Sequence, residues 1–259
     1  MKNKKSLGQN WLKNRSILEE IAESAVGDVV DGNGAYFNKI EARICVEIGP
    51  GLGFLTTSLL RRFDQVVAVE FDDRLAENLP KSFPGKNLKV VNGDILEYDF
   101  GELREPFVVV GNIPYYITSP IIRKVLTLHQ LPERVVLLVQ KEVAERIVSK
   151  RETLLSLFVK NRATVLAGAV VPRDEFTPPP KVDSQIIIME PHQPIVGDEV
   201  LQLIQKGFSN PRKKLIHNLS GLKSKEELIN MMNRCGISVD ARPGDLHLVD
   251  WQKIYNFGF

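Results

Sequence analysis

The chain has 259 residues, 43% of them hydrophobic, a formal net charge of +2 and two cysteines, Cys45 and Cys235. This is enough apolar content for one substantial core and a smaller second one, and the charge is too balanced to mark a nucleic-acid partner by itself. Two distant cysteines exclude a disulfide framework, four histidines without ligand spacing leave no metal site to expect, and no apolar run reaches a membrane span, so a soluble cytoplasmic protein with no membrane partner is expected.

The opening MKNKKSLGQNWLKN is charged and has no apolar leader core. DGNGAYFNK (31–39) reads as a turn-rich insertion without evident chemistry. Seven short β-branched runs follow: ICVEIG (44–49), QVVAVEF (65–71), LKVVNGD (88–94), PFVVVGN (106–112), RVVLLVQ (134–140), ATVLAGAV (163–170) and SQIIIME (184–190). Between most of them lie amphipathic stretches of helical length, among them FLTTSLLRRF, SPIIRKVLTLH, EVAERIVSK and TLLSLFVKN. Alternation of buried strands and helices predicts an α/β fold with a largely parallel sheet. The last two runs are joined by the FTPPPKVD loop and no clear crossover helix, which predicts a hairpin and an antiparallel edge.

After Glu190 the pattern changes. PHQPIVGDE is a Pro/Gly-containing linker, and VLQLIQKGF, RKKLIHNLSG, KEELINMMNRCG and DWQKIYNF read as short helices without strands. The expected division is residues 1–191 as one domain and 192–259 as a small all-helical one. From Val200 to Lys225 there are six Lys/Arg and no Asp or Glu. That run is either a solvated helix face or a surface that meets phosphates.

The chemistry gathers at strand ends. The first strand enters Glu47-Ile48-Gly49-Pro50-Gly51-Leu52-Gly53 and then a helix, where glycines let backbone amides approach a ligand at the carboxyl edge of an open sheet. Glu70 ends the second strand, where an acid can take both hydroxyls of a ribose; the alternative is a strand-end carboxylate in water. Asp94 follows the third strand and is suited to accept from an adenine amine. Asn112 ends the fourth. The turn has no basic residue to receive a pyrophosphate, which points to a cofactor with adenosine and no phosphate, S-adenosylmethionine.

Several stretches together resemble the KsgA (RsmA) family, the small-subunit ribosomal RNA adenine dimethyltransferases: Leu7-Gly8-Gln9-Asn10-Trp11-Leu12, EIGPGLG, VEFDDRL, NGDIL, GNIPYYITSPII, FTPPPKVDS, FSNPRKKLIHNL and RPGDLHLVDWQKI. The resemblance spans nearly the whole chain. It implies a class I S-adenosylmethionine-dependent methyltransferase with a Rossmann-like seven-stranded sheet, catalytic over 1–191, and a helical RNA-binding domain over 192–259. The implied reaction dimethylates the exocyclic amines of two adjacent adenosines in a hairpin near the 3′ end of 16S ribosomal RNA. The implied setting is small-subunit biogenesis in the cytoplasm, with the small ribosomal subunit as partner and the enzyme a monomer.

By the same resemblance, the glycine turn at Gly49 and Gly51 contacts the methionine part of the cofactor, Glu70 its ribose and Asp94 its adenine. Asn10 and Leu12 close over it, and Asn112 lies near its reactive end. Asn112 Oδ1 and the Pro114 carbonyl are suited to accept the two N–H groups of the target amine, with Tyr115 stacking on the base. Phe176 matches the second aromatic that would sandwich the base; its alternative is a loop anchor in the core. Arg212, Lys213 and Lys214 would meet RNA phosphates, with Lys2, Lys4 and Lys5 as the alternative docking point. The chain departs from the family pattern at Trp11, where Phe is usual, at Tyr116, where Asn is common, in the order Thr118-Ser119, and in RETLLS, which lacks a Tyr-Gly pair. Two other readings remain: an Erm-type enzyme of large-subunit RNA, and an assembly factor without catalysis.

Overall fold

The computed structural model describes residues 9–30 and 36–259; Lys2, Lys4, Lys5, Leu7, Gly8 and the first part of the 31–39 insertion lie outside the described residues. All seven apolar runs form strands of one sheet: β1 (Ile44–Ile48), β2 (Gln65–Glu70), β3 (Leu88–Asn92), β4 (Phe107–Asn112), β5 (Arg134–Gln140), β6 (Ala163–Val171) and β7 (Ser184–Pro191). Their order is β3-β2-β1-β4-β5-β7-β6. Strands β3, β2, β1, β4 and β5 are parallel, and β7 runs antiparallel to β5. The antiparallel strand expected after the FTPPPKVD loop is therefore present, but β6 and not β7 takes the edge. This is the mostly parallel α/β sheet of a class I methyltransferase fold.

Central strands read as unbroken apolar runs because helices cover both faces of a parallel sheet. Every residue of β1, Phe107–Gly111 of β4 and Arg134–Val139 of β5 is buried. The β1–β4 register pairs Ile48 with Gly111, and the β2–β3 register pairs Glu70 with Asn92. The carboxyl ends of β1, β2, β3 and β4 thus finish level with one another, on the side where such sheets bind ligands.

Arg134 is a buried cation at the start of β5 that the apolar pattern around it does not announce. It pairs with Glu190 at 2.6 Å and donates to the carbonyls of Ser24, Gly27 and Asn38. Its charge is thereby met on several sides, as a charge inside a core must be. The bonds fix the chain that follows the helix Arg15–Ser24, whose own start is capped by Asn14 Oδ1 accepting from the amides of Ser16 and Ile17.

Packing divides the chain into two compact units: one takes in the chain to Ala144 and Thr164–His192, the other Glu145–Ala163 and Gln193–Phe259. Residues 145–163 are therefore grouped by their contacts with the C-terminal helices. In the second unit the helices Leu154–Arg162, Asp198–Gly207, Leu215–Leu219, Lys225–Cys235 and Leu248–Gly258 bury a core that includes Leu157, Leu203, Met232 and the fully enclosed Trp251. Thr153 with Ser156, and Ser224 with Glu227, form capping boxes, and Gly236 ends the Lys225–Cys235 helix in the left-handed conformation. No helix among the described residues is long and apolar enough to cross a membrane.

Candidate active site

Level with the strand ends, the first unit holds a cavity of about 190 Å³. Its lining includes Asn10, Leu12, Gly49, Gly51, Glu70, Asp94, Asn112, Pro114 and Tyr115, so nine of the sequence-predicted residues are brought to one place. It also includes Gln9, Trp11, Glu47, Phe71 and Tyr116. Among the described residues of the lining three side chains are carboxylic acids, and none is Lys, Arg or His. That donor set suits a ligand of net positive charge and opposes a phosphate.

The turn after β1 owes its path to glycine. Gly53 has φ +83°, and a Cβ there would stand 2.8 Å from Leu79 Cδ1 and Phe83 Cε2. Gly51, at φ +59°, lies beside Trp11, whose Cδ1 and Nε1 would be 3.3 Å from an added Cβ. Its amide donates to Glu70 Oε2 at 3.0 Å, and the Asp72 amide donates to Glu70 Oε1 at 2.9 Å. Glu70 therefore ties β2 to the turn. Burial raises its pKa against the pull of these amides.

Glu47 lies deeper, 1% exposed, and accepts from Thr56 Oγ1 at 2.6 Å. Burial pushes its pKa up to about 8 against the hydrogen bond from Thr56. Asp94 Oδ1 accepts from the Leu96 amide at 2.8 Å, which fixes its carboxyl after β3.

Asn112 Nδ2 donates to the Asn10 carbonyl at 3.0 Å. With the nitrogen so engaged, the side-chain oxygen is the atom left for a ligand. The Pro114 carbonyl accepts from the Ile117 amide at 3.2 Å, which leaves one of its two lone pairs. Tyr115 shares a 2.6 Å hydrogen bond between its hydroxyl and Ser184 Oγ, and burial raises its pKa. Its ring is thus held by the first residue of β7, while Tyr116 is 65% exposed.

The amino-terminal segment crosses these elements. Gln9 Nε2 donates to Asp72 Oδ2 at 3.2 Å, the Asn10 carbonyl accepts from Asn112, and Trp11 and Leu12 pair antiparallel with Thr177 and Phe176. Phe176 is 3% exposed, packs in the main core with Leu12 and does not line the cavity. The structure thus places it where the loop-anchor alternative does, because the ladder to Leu12 turns its ring inward. Arg212, Lys213 and Lys214 belong to the second unit. They are exposed on the turn before Leu215, off any helix face, and Lys214 is paired with Asp240 at 2.6 Å.

Sequence reasoning missed Gln9, Trp11, Glu47, Phe71 and Ser184 as parts of the site. The acid inside the buried run ICVEI was an available signal for Glu47, since a lone carboxyl in a core strand needs a reason. For Gln9 and Ser184 no periodicity marks the role, which depends on partners far away in the chain.

The family model described as ribosomal RNA adenine dimethylase matches residues 1–258. The chain is 38% identical to the ribosomal RNA small subunit methyltransferase A of Synechocystis sp., over 98% of this chain and 95% of that protein. Among solved structures it is similar to a dimethyladenosine transferase from Plasmodium falciparum, with a TM-score of 0.76 and 28% identity over 94% of this chain and 95% of that one. It is also similar to the 23S rRNA methyltransferase ErmE, with a TM-score of 0.74 and 26% identity over 95% and 98% of the two chains.

Proposed function

The chain belongs to the ribosomal RNA adenine dimethylase family, and from that premise we propose that it transfers methyl groups from S-adenosylmethionine to two adjacent adenosines in a hairpin near the 3′ end of 16S ribosomal RNA, giving N6,N6-dimethyladenosine. It is an rRNA adenine dimethyltransferase, acting as a monomer in the cytoplasm on the small subunit during its assembly. The observation that carries this reading is a cavity that, among the described residues, is lined by three acids and no base, with Asn112 at its edge held by its side-chain nitrogen so that the oxygen is turned to a ligand.

S-adenosylmethionine, when bound, supplies an electrophilic methyl group on a sulfonium. Its net positive charge fits a lining whose charged side chains, among the described residues, are acids. Glu70 takes the ribose hydroxyls, Asp94 accepts from the adenine amine, Gly49 and Gly51 admit the methionine part, and Asn10 and Leu12 cover it. The target amine is a poor nucleophile because its lone pair is delocalised into the base. Asn112 Oδ1 and the Pro114 carbonyl each accept one of its N–H bonds, which favours a tetrahedral nitrogen and holds it in line. Tyr115 stacks on the base with its ring steadied by Ser184. The methylated amine is acidic enough to lose its proton to water, so no strong base is needed. Phe176 contributes by anchoring the loop that Leu12 pairs with.

Likeness to ErmE favours one rival, methylation of large-subunit RNA. Labelled S-adenosylmethionine offered with unmethylated small subunits, large-subunit RNA and tRNA in parallel separates the readings. Label is expected in the small-subunit RNA alone, as dimethyladenosine. Label in large-subunit RNA would replace the reading by the rival, and binding of subunits with no label anywhere would leave an assembly factor.

The second unit supplies the RNA-binding surface in this reading. Arg212 and Lys213 make no ion pair among the described residues, and Lys214 exchanges Asp240 for a phosphate. Replacing all three by Gln is expected to weaken binding to small subunits and to flatten the slope of log affinity against log salt by about 0.7 to 0.9 for each phosphate that is no longer neutralised. Cofactor affinity stays the same. An unchanged slope would return this turn to a solvated surface and move docking to Lys2, Lys4 and Lys5.

A further inference from the structure

We propose that the indole N–H of Trp11 binds the cofactor, donating to the carboxylate of its methionine part. This rests on the methyltransferase reading above and adds to it a hydrogen bond that a Phe at this position cannot make. Trp11 Nε1 is buried and has no hydrogen-bond partner; among the described residues it is the one orphaned buried polar atom on a side chain that lines the cavity. Buried donors are rarely left without an acceptor, and such an exception calls for one that arrives from outside.

The cavity supplies none of the usual answers to a carboxylate. Among the described residues its lining has no Lys, Arg or His, while Glu70 and Asp94 bring acids. The sulfonium and ammonium of S-adenosylmethionine suit those acids, but its carboxylate must be met by neutral N–H groups. Trp11 offers one beside the glycine turn, with Nε1 3.3 Å from where a Cβ on Gly51 would stand. Antiparallel pairing with Thr177 fixes the residue before any ligand arrives.

The test compares wild type with Trp11→Phe, which keeps a ring in the strap and removes the N–H. Affinities are measured by calorimetry for two probes, S-adenosylhomocysteine and decarboxylated S-adenosylmethionine. The Phe variant is expected to lose about tenfold for the first, on the scale of a hydrogen bond to a charged group, and nothing for the second. In wild type the emission of Trp11 changes as S-adenosylhomocysteine binds; the variant, left with the enclosed Trp251 of the other unit, shows no change. Equal affinity of the two proteins for S-adenosylhomocysteine overturns the proposal, and so does an equal loss for both probes, which reports a mispacked strap. Wild type that binds neither probe refutes the methyltransferase reading itself.

Discussion

Asn112→Ala is expected to slow methyl transfer by a hundredfold or more while leaving S-adenosylhomocysteine affinity near that of wild type. The oxygen removed is one preorganised acceptor aimed at the reacting amine, and removing one such group raises a barrier by about 2.7 to 4 kcal/mol. The nitrogen removed is the donor that meets the Asn10 carbonyl at 3.0 Å. That bond steadies the segment over the cavity and also fixes which way the amide points. Asn112→Asp separates the two roles: it keeps an acceptor for the amine, cannot donate to Asn10, and should fall between wild type and Ala. Single-turnover rates with saturating cofactor measure this directly. An Ala variant as fast as wild type would show that the amide does not orient the substrate.

Strands were legible in the sequence and the site was legible in part, for different reasons. All seven apolar runs became strands within a residue or two, and the central ones were plainest because a strand buried on both faces leaves an unbroken β-branched signature. Helix starts were less secure. RKKLIHNLSG reads as a helix from Arg212, yet the helix begins at Leu215, since Asn210 Oδ1 accepts from the Arg212 amide and its carbonyl from the Lys213 amide, holding these residues in a turn. The periodicity of TLLSLFVKN announces an apolar face without naming the core that receives it. Leu157 of that stretch lies in the core of the second unit.

Site residues at the ends of strands, Glu70, Asp94 and Asn112, could be read because strand ends in a parallel sheet converge by topology alone. Phe176 could not be placed that way. An aromatic ahead of a proline-rich loop is open to either a stacking or an anchoring role, and the choice depends on its pairing with Leu12 at the other end of the domain. Trp11 stood out only as a departure from the usual Phe. What gives it a role, an N–H without a partner beside an acid-lined cavity, exists only once the chain has folded.

The second large effect is expected at Glu70, on cofactor binding. Its two oxygens already accept from the backbone amides of Gly51 and Asp72, at 3.0 and 2.9 Å, in a place where the residue is 6% exposed. Glu70→Ala removes the ribose acceptor and also leaves those two N–H groups without a side-chain partner. The ribose hydroxyls would then be buried on binding without their acceptor, at about 1 to 3 kcal/mol for an unsatisfied group, and each 1.4 kcal/mol is tenfold in affinity, so S-adenosylhomocysteine binding should weaken by about a hundredfold. Part of that loss comes through the glycine turn, which Glu70 holds against β2, and part through the ribose. Glu70→Gln distinguishes them. Its amide keeps one oxygen to accept from either Gly51 or Asp72, but its NH2 group faces the other N–H, so affinity should recover only in part. Because Asn112 is untouched, the rate at saturating cofactor should stay close to that of wild type in the Gln variant, in contrast to Asn112→Ala. Calorimetry showing undiminished affinity in Glu70→Ala would reject the assignment of this carboxylate to the cofactor.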